Sequence, residues 1–180
     1  MLITHNMKNK KLLLGIAWAW LTCLSANAEV KLPAFFSDGM VMQQQTRANL
    51  WGTATPNAPV KITTSWDKQT YKTTADAKGA WKLALSTPSA GGPYTITFDD
   101  GKLTEIRDIL MGELWLCSGQ SNMEMPMKGF KNQPVENSNT DVMNSRNPQL
   151  RLFTVKRSSS FTPKNRCGGN LAGSCSGNCA

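Results

Sequence analysis

"VKITTSW", residues Val60 to Trp66, sets the reading of the amino-terminal half. Its apolar and polar positions alternate, so Val60, Ile62, Thr64 and Trp66 share one face and Lys61, Thr63 and Ser65 the other, the period of a half-buried strand. Working outward, "ANLWGTA", "QTYKTTA", "AWKLALS" and "YTITFDD" repeat that texture about every ten residues. Between them lie "TPNAP", "WDK", "DAKG", "TPSAGGP" and "DDGK", rich in the residues that turns require. Residues 29–108 therefore read as a small β-sandwich, within a chain expected to be mainly β. Trp51, Trp66 and Trp81 are evenly spaced on it. Each sits in a hydrophobic alternation, so core packing is the expected role, with a sugar-stacking platform as the alternative.

The amino terminus has a different character. Lys8, Lys10 and Lys11 precede an apolar run from Leu12 to Leu24, too short to span a bilayer, and Ala26-Asn27-Ala28 offers small residues at a cleavage site. Residues 1–28 are expected to be a signal peptide cleaved after Ala28, with an uncleaved anchor as the alternative. The mature protein is then periplasmic or extracellular, with no membrane partner. The formal net charge is +8, but three of the 20 Lys and Arg lie in the leader and four lie between Lys156 and Arg166. Against 12 acidic residues the body is nearly neutral, which argues against a nucleic-acid partner. Cys117, Cys167, Cys175 and Cys179 remain after the leader, at a spacing that fits no usual zinc pattern, and neither a metal nor another cofactor is expected.

Near Asp108 the texture changes. "DILMGELWLCSG" is an apolar stretch broken by Gly112-Glu113, as in a strand covered on both faces in a parallel sheet, and a second domain is expected over 109–162. "GQSN", Gly119 to Asn122, then makes a tight turn that presents Ser121. Strand, turn and serine is how several hydrolase folds hold a nucleophile, although Met123 stands where a G-x-S-x-G elbow has its second glycine. By spacing alone, Ser121 reads as a nucleophile or simply as a turn residue.

A family resemblance bears on that choice. "LPAFFSDGMVMQQQ", "LWGTATPNAPV", the Asp76, Gly79, Trp81 pattern and above all "GELWLCSGQSNMEMPM" resemble the amino-terminal part of bacterial sialate O-acetylesterases, of the SGNH-hydrolase group. The resemblance covers about Val30 to Thr162 and implies a β-sandwich joined to a flavodoxin-like α/β domain. It implies removal of acetyl esters from sialic acids by serine catalysis, with an O-acetylated sialic acid or related acetylated glycan as substrate. Ser121 is then the nucleophile, its amide part of the oxyanion hole, and Gly119, Gln120 and Asn122 are members of the same block.

The family takes its general base from an Asp-x-x-His block, whereas the one histidine here is His5, in or ahead of the leader. A serine hydroxyl attacks poorly until a base accepts its proton. A Ser-x-x-Lys dyad would need lysine where Glu124 stands, and Glu124 reads as a solvated or structural carboxylate. The chain is therefore expected to be a truncated, inactive esterase. Residues 163–180, ending "CGGNLAGSCSGNCA", have little to bury and are expected to be disordered. With codons that residues 170–180 permit, a reading frame displaced by four bases gives Trp-Gln-Glu-Val-Ala-Ala-Glu-Thr-Val, which looks like the family's continuation; a natural linker is the alternative. With few strand partners, residues 112–155 are expected to be poorly ordered. Two other functions remain open: a carbohydrate-binding or interaction module, and an acetylxylan-type esterase.

Overall fold

A computed structural model describes residues 29–164 and 166–173. The expected signal peptide with its cleavage site at Ala28, His5, Cys175 and Cys179 lie outside the described residues. The expected strands form: β2 (Arg47–Thr53), β3 (Pro59–Thr64), β4 (Thr70–Thr74), β5 (Ala80–Ser86) and β6 (Gly91–Asp99). Two more flank them, β1 (Val41–Gln43) and β7 (Leu103–Gly112). A five-stranded sheet runs β1-β7-β6-β3-β4, and β2 pairs antiparallel with β5 in a second, two-stranded sheet.

Both sheets bury their apolar positions in one core. Val60, Ile62, Ile96, Phe98 and Ile109 come from the larger sheet, and Leu50, Trp81 and Leu85 from the smaller. The alternation read in β3 is observed, with Val60, Ile62 and Thr64 buried and the residues between them exposed. Thr64 keeps its buried hydroxyl satisfied by donating to Asp67, whose other oxygen accepts from the Tyr71 hydroxyl at 2.6 Å. The Asp76, Gly79, Trp81 pattern is a turn that delivers Trp81 to the core. Asp76 Oδ1 accepts from the amides of Lys78 and Ala80, both at 2.8 Å. Gly79 has φ +80°, and a Cβ there would stand 2.5 Å from the Ala54 carbonyl oxygen, so glycine is required.

Two of the three tryptophans, Trp81 and Trp66, pack as core reading predicts, and Trp51 does not. Trp81 is 4% exposed and meets Phe98 at 5.8 Å between ring centroids, so it cannot serve as a stacking platform. Trp66 packs at the core margin against Tyr94, and its Nε1 donates to the Ser86 carbonyl at 3.2 Å. Trp51 points to the other face of β2 and packs edge-on against Phe35 and Phe36.

The structure corrects the reading of "DILMGELWLCSG". Its first half belongs to the β-domain, where β7 pairs antiparallel with β6 and parallel with β1 and buries Ile106, Ile109 and Met111. Its second half is no strand; Leu114, Trp115 and Leu116 are 64%, 82% and 92% exposed. The apolar run divides at Gly112 because only the residues before it find neighbouring strands. Beyond it come a 3-10 turn (Ser121–Glu124), a small hairpin of β8 (Gly129–Phe130) and β9 (Gln133–Pro134), helix α1 (Ser138–Asn144) and strand β10 (Arg151–Val155). Among the described residues this part makes no parallel strand pair.

A second correction concerns the tail. Gly169–Gly173, expected to be disordered, forms β11 and pairs antiparallel with β10, Phe153 opposite Leu171. Composition offered little to bury, but backbone hydrogen bonding to a neighbouring strand satisfies a segment whose one large apolar side chain is Leu171.

Candidate active site on the serine turn

Ser121 opens the 3-10 turn and is exposed, as are Gly119, Gln120 and Asn122. Gln120 is extended at φ −107°, and the turn closes through the Met123 amide donating to the Gln120 carbonyl at 2.9 Å. The Met125 amide donates to the Asn122 carbonyl at 3.3 Å. Glycine at 119 has a local cause: a Cβ there would lie 2.8 Å from Cγ of Met123, which folds back over the turn. At the start of such a turn the first amides have no intrahelical acceptor, leaving backbone donors next to the Ser121 side chain.

The segment that leads to the turn is held to the β-domain by a clasp eight residues earlier in the chain. Glu113 accepts from Gln43 Nε2 at 2.9 Å and from Gln44 Nε2 at 2.8 Å, one amide on each carboxylate oxygen. Gln43 Oε1 in turn accepts from the Leu114 amide at 2.9 Å, and Gln44 Oε1 accepts from the Ala90 amide at 2.7 Å. The two side-chain amides hold the Glu113 carboxyl below the usual carboxylate range. This clasp was not anticipated, although the run "QQQ" directly after an apolar strand, with Glu113 at the end of another, is the signal that could have found it.

A second anchor ties down the β10–β11 ribbon. Arg151 Nη1 donates to Asp108 Oδ2 at 2.8 Å, and Asp108 occupies the left-handed region at φ 55°. Asp38 Oδ1 accepts from the Arg107 amide at 2.7 Å, and the Gly39 amide donates to the Arg107 carbonyl at 3.0 Å. Gly39 has φ +80°, and a Cβ on it would stand 3.1 Å from Arg151 Nη1 and 3.3 Å from Leu171 Cδ2. Phe35 meets Phe153 edge-on at 6.2 Å. The "FFSDG" segment therefore packs the β-domain onto the ribbon.

Around Ser121 the structure assembles a turn but no proton relay among the described residues. No hydrogen-bond partner of its hydroxyl is found there, and no histidine. Glu124 is ion-paired with Arg157, an exposed contact that occupies its carboxylate. Cys117 and Cys167 are free thiols, and no group of three or more His, Cys, Asp or Glu among the described residues is placed to hold a metal ion. No helix among the described residues is long and apolar enough to cross a membrane.

Comparison with known proteins places this arrangement. No family model matches the chain. Sialate O-acetylesterase of Mus musculus is 31% identical over 141 residues, 73% of this chain and 25% of the relative. The human protein of that name is 32% identical over 141 residues, covering 73% of this chain and 26% of the relative. The crystal structure of a carbohydrate acetylesterase from Xanthomonas citri superposes with a TM-score of 0.75 at 33% identity, over 84% of this chain and 34% of that one. The chain thus spans about a quarter of the length of the curated relatives it matches. With sequence and fold in agreement, the chain belongs to the sialate O-acetylesterase family.

Proposed function

We propose that this polypeptide carries the nucleophile-bearing part of an exported carbohydrate acetylesterase acting on O-acetylated sialic acids, with Ser121 as the attacking residue. One observation carries the reading: the serine lies exposed on a glycine-flanked turn, in a chain similar in sequence and fold to carbohydrate acetylesterases. In such a reaction the Ser121 hydroxyl oxygen adds to the acetyl carbonyl carbon, and its proton passes to a base. The carbonyl oxygen takes up negative charge, which the Ser121 amide would receive as part of an oxyanion hole. Collapse expels the sugar hydroxyl, and water releases acetate from the serine. Gly119 gives the ester access and Gln120 and Asn122 flank it. The separation of 109–162 as the start of an α/β SGNH-hydrolase domain is part of the same proposal.

The described residues supply the nucleophile and backbone donors, but no imidazole to take the proton. Loss of the base removes several powers of ten in turnover. The polypeptide as it stands is therefore inactive by this reading. Hydrolysis of an aryl acetate by the purified chain should stay close to the buffer rate, and Ser121→Ala should not change it. Brisk hydrolysis that the substitution abolishes would keep Ser121 as nucleophile and overturn the inactivity. Brisk hydrolysis that it leaves untouched would remove Ser121 from the reaction.

A further inference from the structure

We infer that a cleft on the outer face of the β2–β5 sheet, away from the serine turn, binds a sugar that bears a carboxylate. The cleft has a volume of about 670 Å³, within the roughly 300–1,000 Å³ of small-molecule sites. Its floor follows from strand register. Trp51 lies directly opposite Lys82 across the β2–β5 pair, so both side chains leave the sheet on the same side. Asn49 and Thr73 line the cleft beside them, and Arg166 closes it, donating from Nη2 to Thr53 Oγ1 at 2.6 Å.

The chemistry of these walls selects the ligand. The Trp51 ring is half-buried and fixed edge-on by Phe35 and Phe36, so it offers a rigid indole surface at little entropic cost. Asn49 supplies both a donor and an acceptor for vicinal hydroxyls, and the Thr73 hydroxyl, which donates to the Lys82 carbonyl at 3.3 Å, a further acceptor. Lys82 and Arg166 have no carboxylate partner among the described residues. Asp76, the acid in the same lining, already holds the amides of Lys78 and Ala80 on Oδ1. Two cations beside an indole and an amide match a ring with one apolar face, several hydroxyls and a carboxylate.

The choice of a carbohydrate rests on the proposed function, but the cleft's binding does not involve Ser121, so the two readings fail separately. The test is a titration of the full chain by saturation-transfer NMR and tryptophan fluorescence with N-acetylneuraminic acid, glucuronic acid and neutral xylobiose. The acidic sugars should bind, and more weakly as salt is raised. Xylobiose should bind at least about tenfold more weakly, and Lys82→Gln or Arg166→Gln should each weaken the acidic sugars by about tenfold, as loss of a charge-assisted hydrogen bond does. Ser121→Ala should leave binding unchanged. Xylobiose binding as well as the acids, or wild-type binding by Lys82→Gln, or no saturation by either acid, would overturn the inference, whatever the esterase assay shows.

Discussion

Replacing Ile109 and Leu116 by alanine, one at a time, tests where the β-domain ends. Both lie in the same apolar run, and a single buried strand would make their substitution about equally costly. The structure separates them. Ile109 is 0% exposed, opposite Tyr94 in the β6–β7 pair, whereas Leu116 is 92% exposed. Truncating a fully buried isoleucine costs about 2–5 kcal/mol, the lost transfer free energy plus the cavity left behind. Leu116→Ala removes a side chain that touches mainly solvent and should stay within about 0.5 kcal/mol. Small proteins lose about 1–3 kcal/mol of stability per molar urea, and a domain of this size lies near the low end because the slope grows with chain length. Ile109→Ala should therefore lower the urea midpoint by roughly 2 M or more, a large part of the stability of a domain this size. Near-UV circular dichroism follows the transition through the Trp81–Phe98 packing. Equal midpoints for the two variants, or a larger loss with Leu116→Ala, would refute the assignment of β7 to the β-domain.

Other outcomes follow from the anchors. Because Glu113 titrates below its usual value, its clasp adds stability that is present above the ordinary carboxylate pKa and lost as pH falls through the lowered one. Hydrogen exchange at the Leu114 amide should accelerate across that acidic range beyond its intrinsic trend, and Glu113→Gln should remove the added dependence. Arg151→Ala breaks the link to Asp108, a contact of about 1 kcal/mol, so exchange in β10 should rise severalfold while the urea midpoint of the β-domain stays nearly fixed. Gly79→Ala should destabilise the β-domain by at least about 2 kcal/mol, read from its thermal midpoint, because φ +80° is strained for any side chain and the new Cβ would meet the Ala54 carbonyl oxygen at 2.5 Å.

Five strands of the β-domain, β2 to β6, were legible because each carries its own alternation and turn chemistry. β1 was not, since three residues hold no periodicity and its place depends on parallel pairing with β7. The run through "ILMGELWLC" misled for a related reason: apolar residues signal burial only where neighbouring strands exist to cover them, and those lie elsewhere in the chain. The β10–β11 ribbon was hidden because backbone pairing, rather than side-chain burial, orders Gly169–Gly173. At the candidate site, the turn and its serine could be read locally. The glutamine clasp and the Asp108–Arg151 contact join residues 69–70 and 43 positions apart and needed the fold to bring them together.

The clasp has a consequence for anyone who would move the serine turn to another scaffold. A loop whose entry is gripped by two side-chain amides from a distant strand takes its orientation from that strand, so the transplanted peptide without Gln43 and Gln44 would swing freely from its stem. The amino-terminal sheet is then the jig that sets where the stem of the serine turn leaves the β-domain, from more than sixty residues away in the chain.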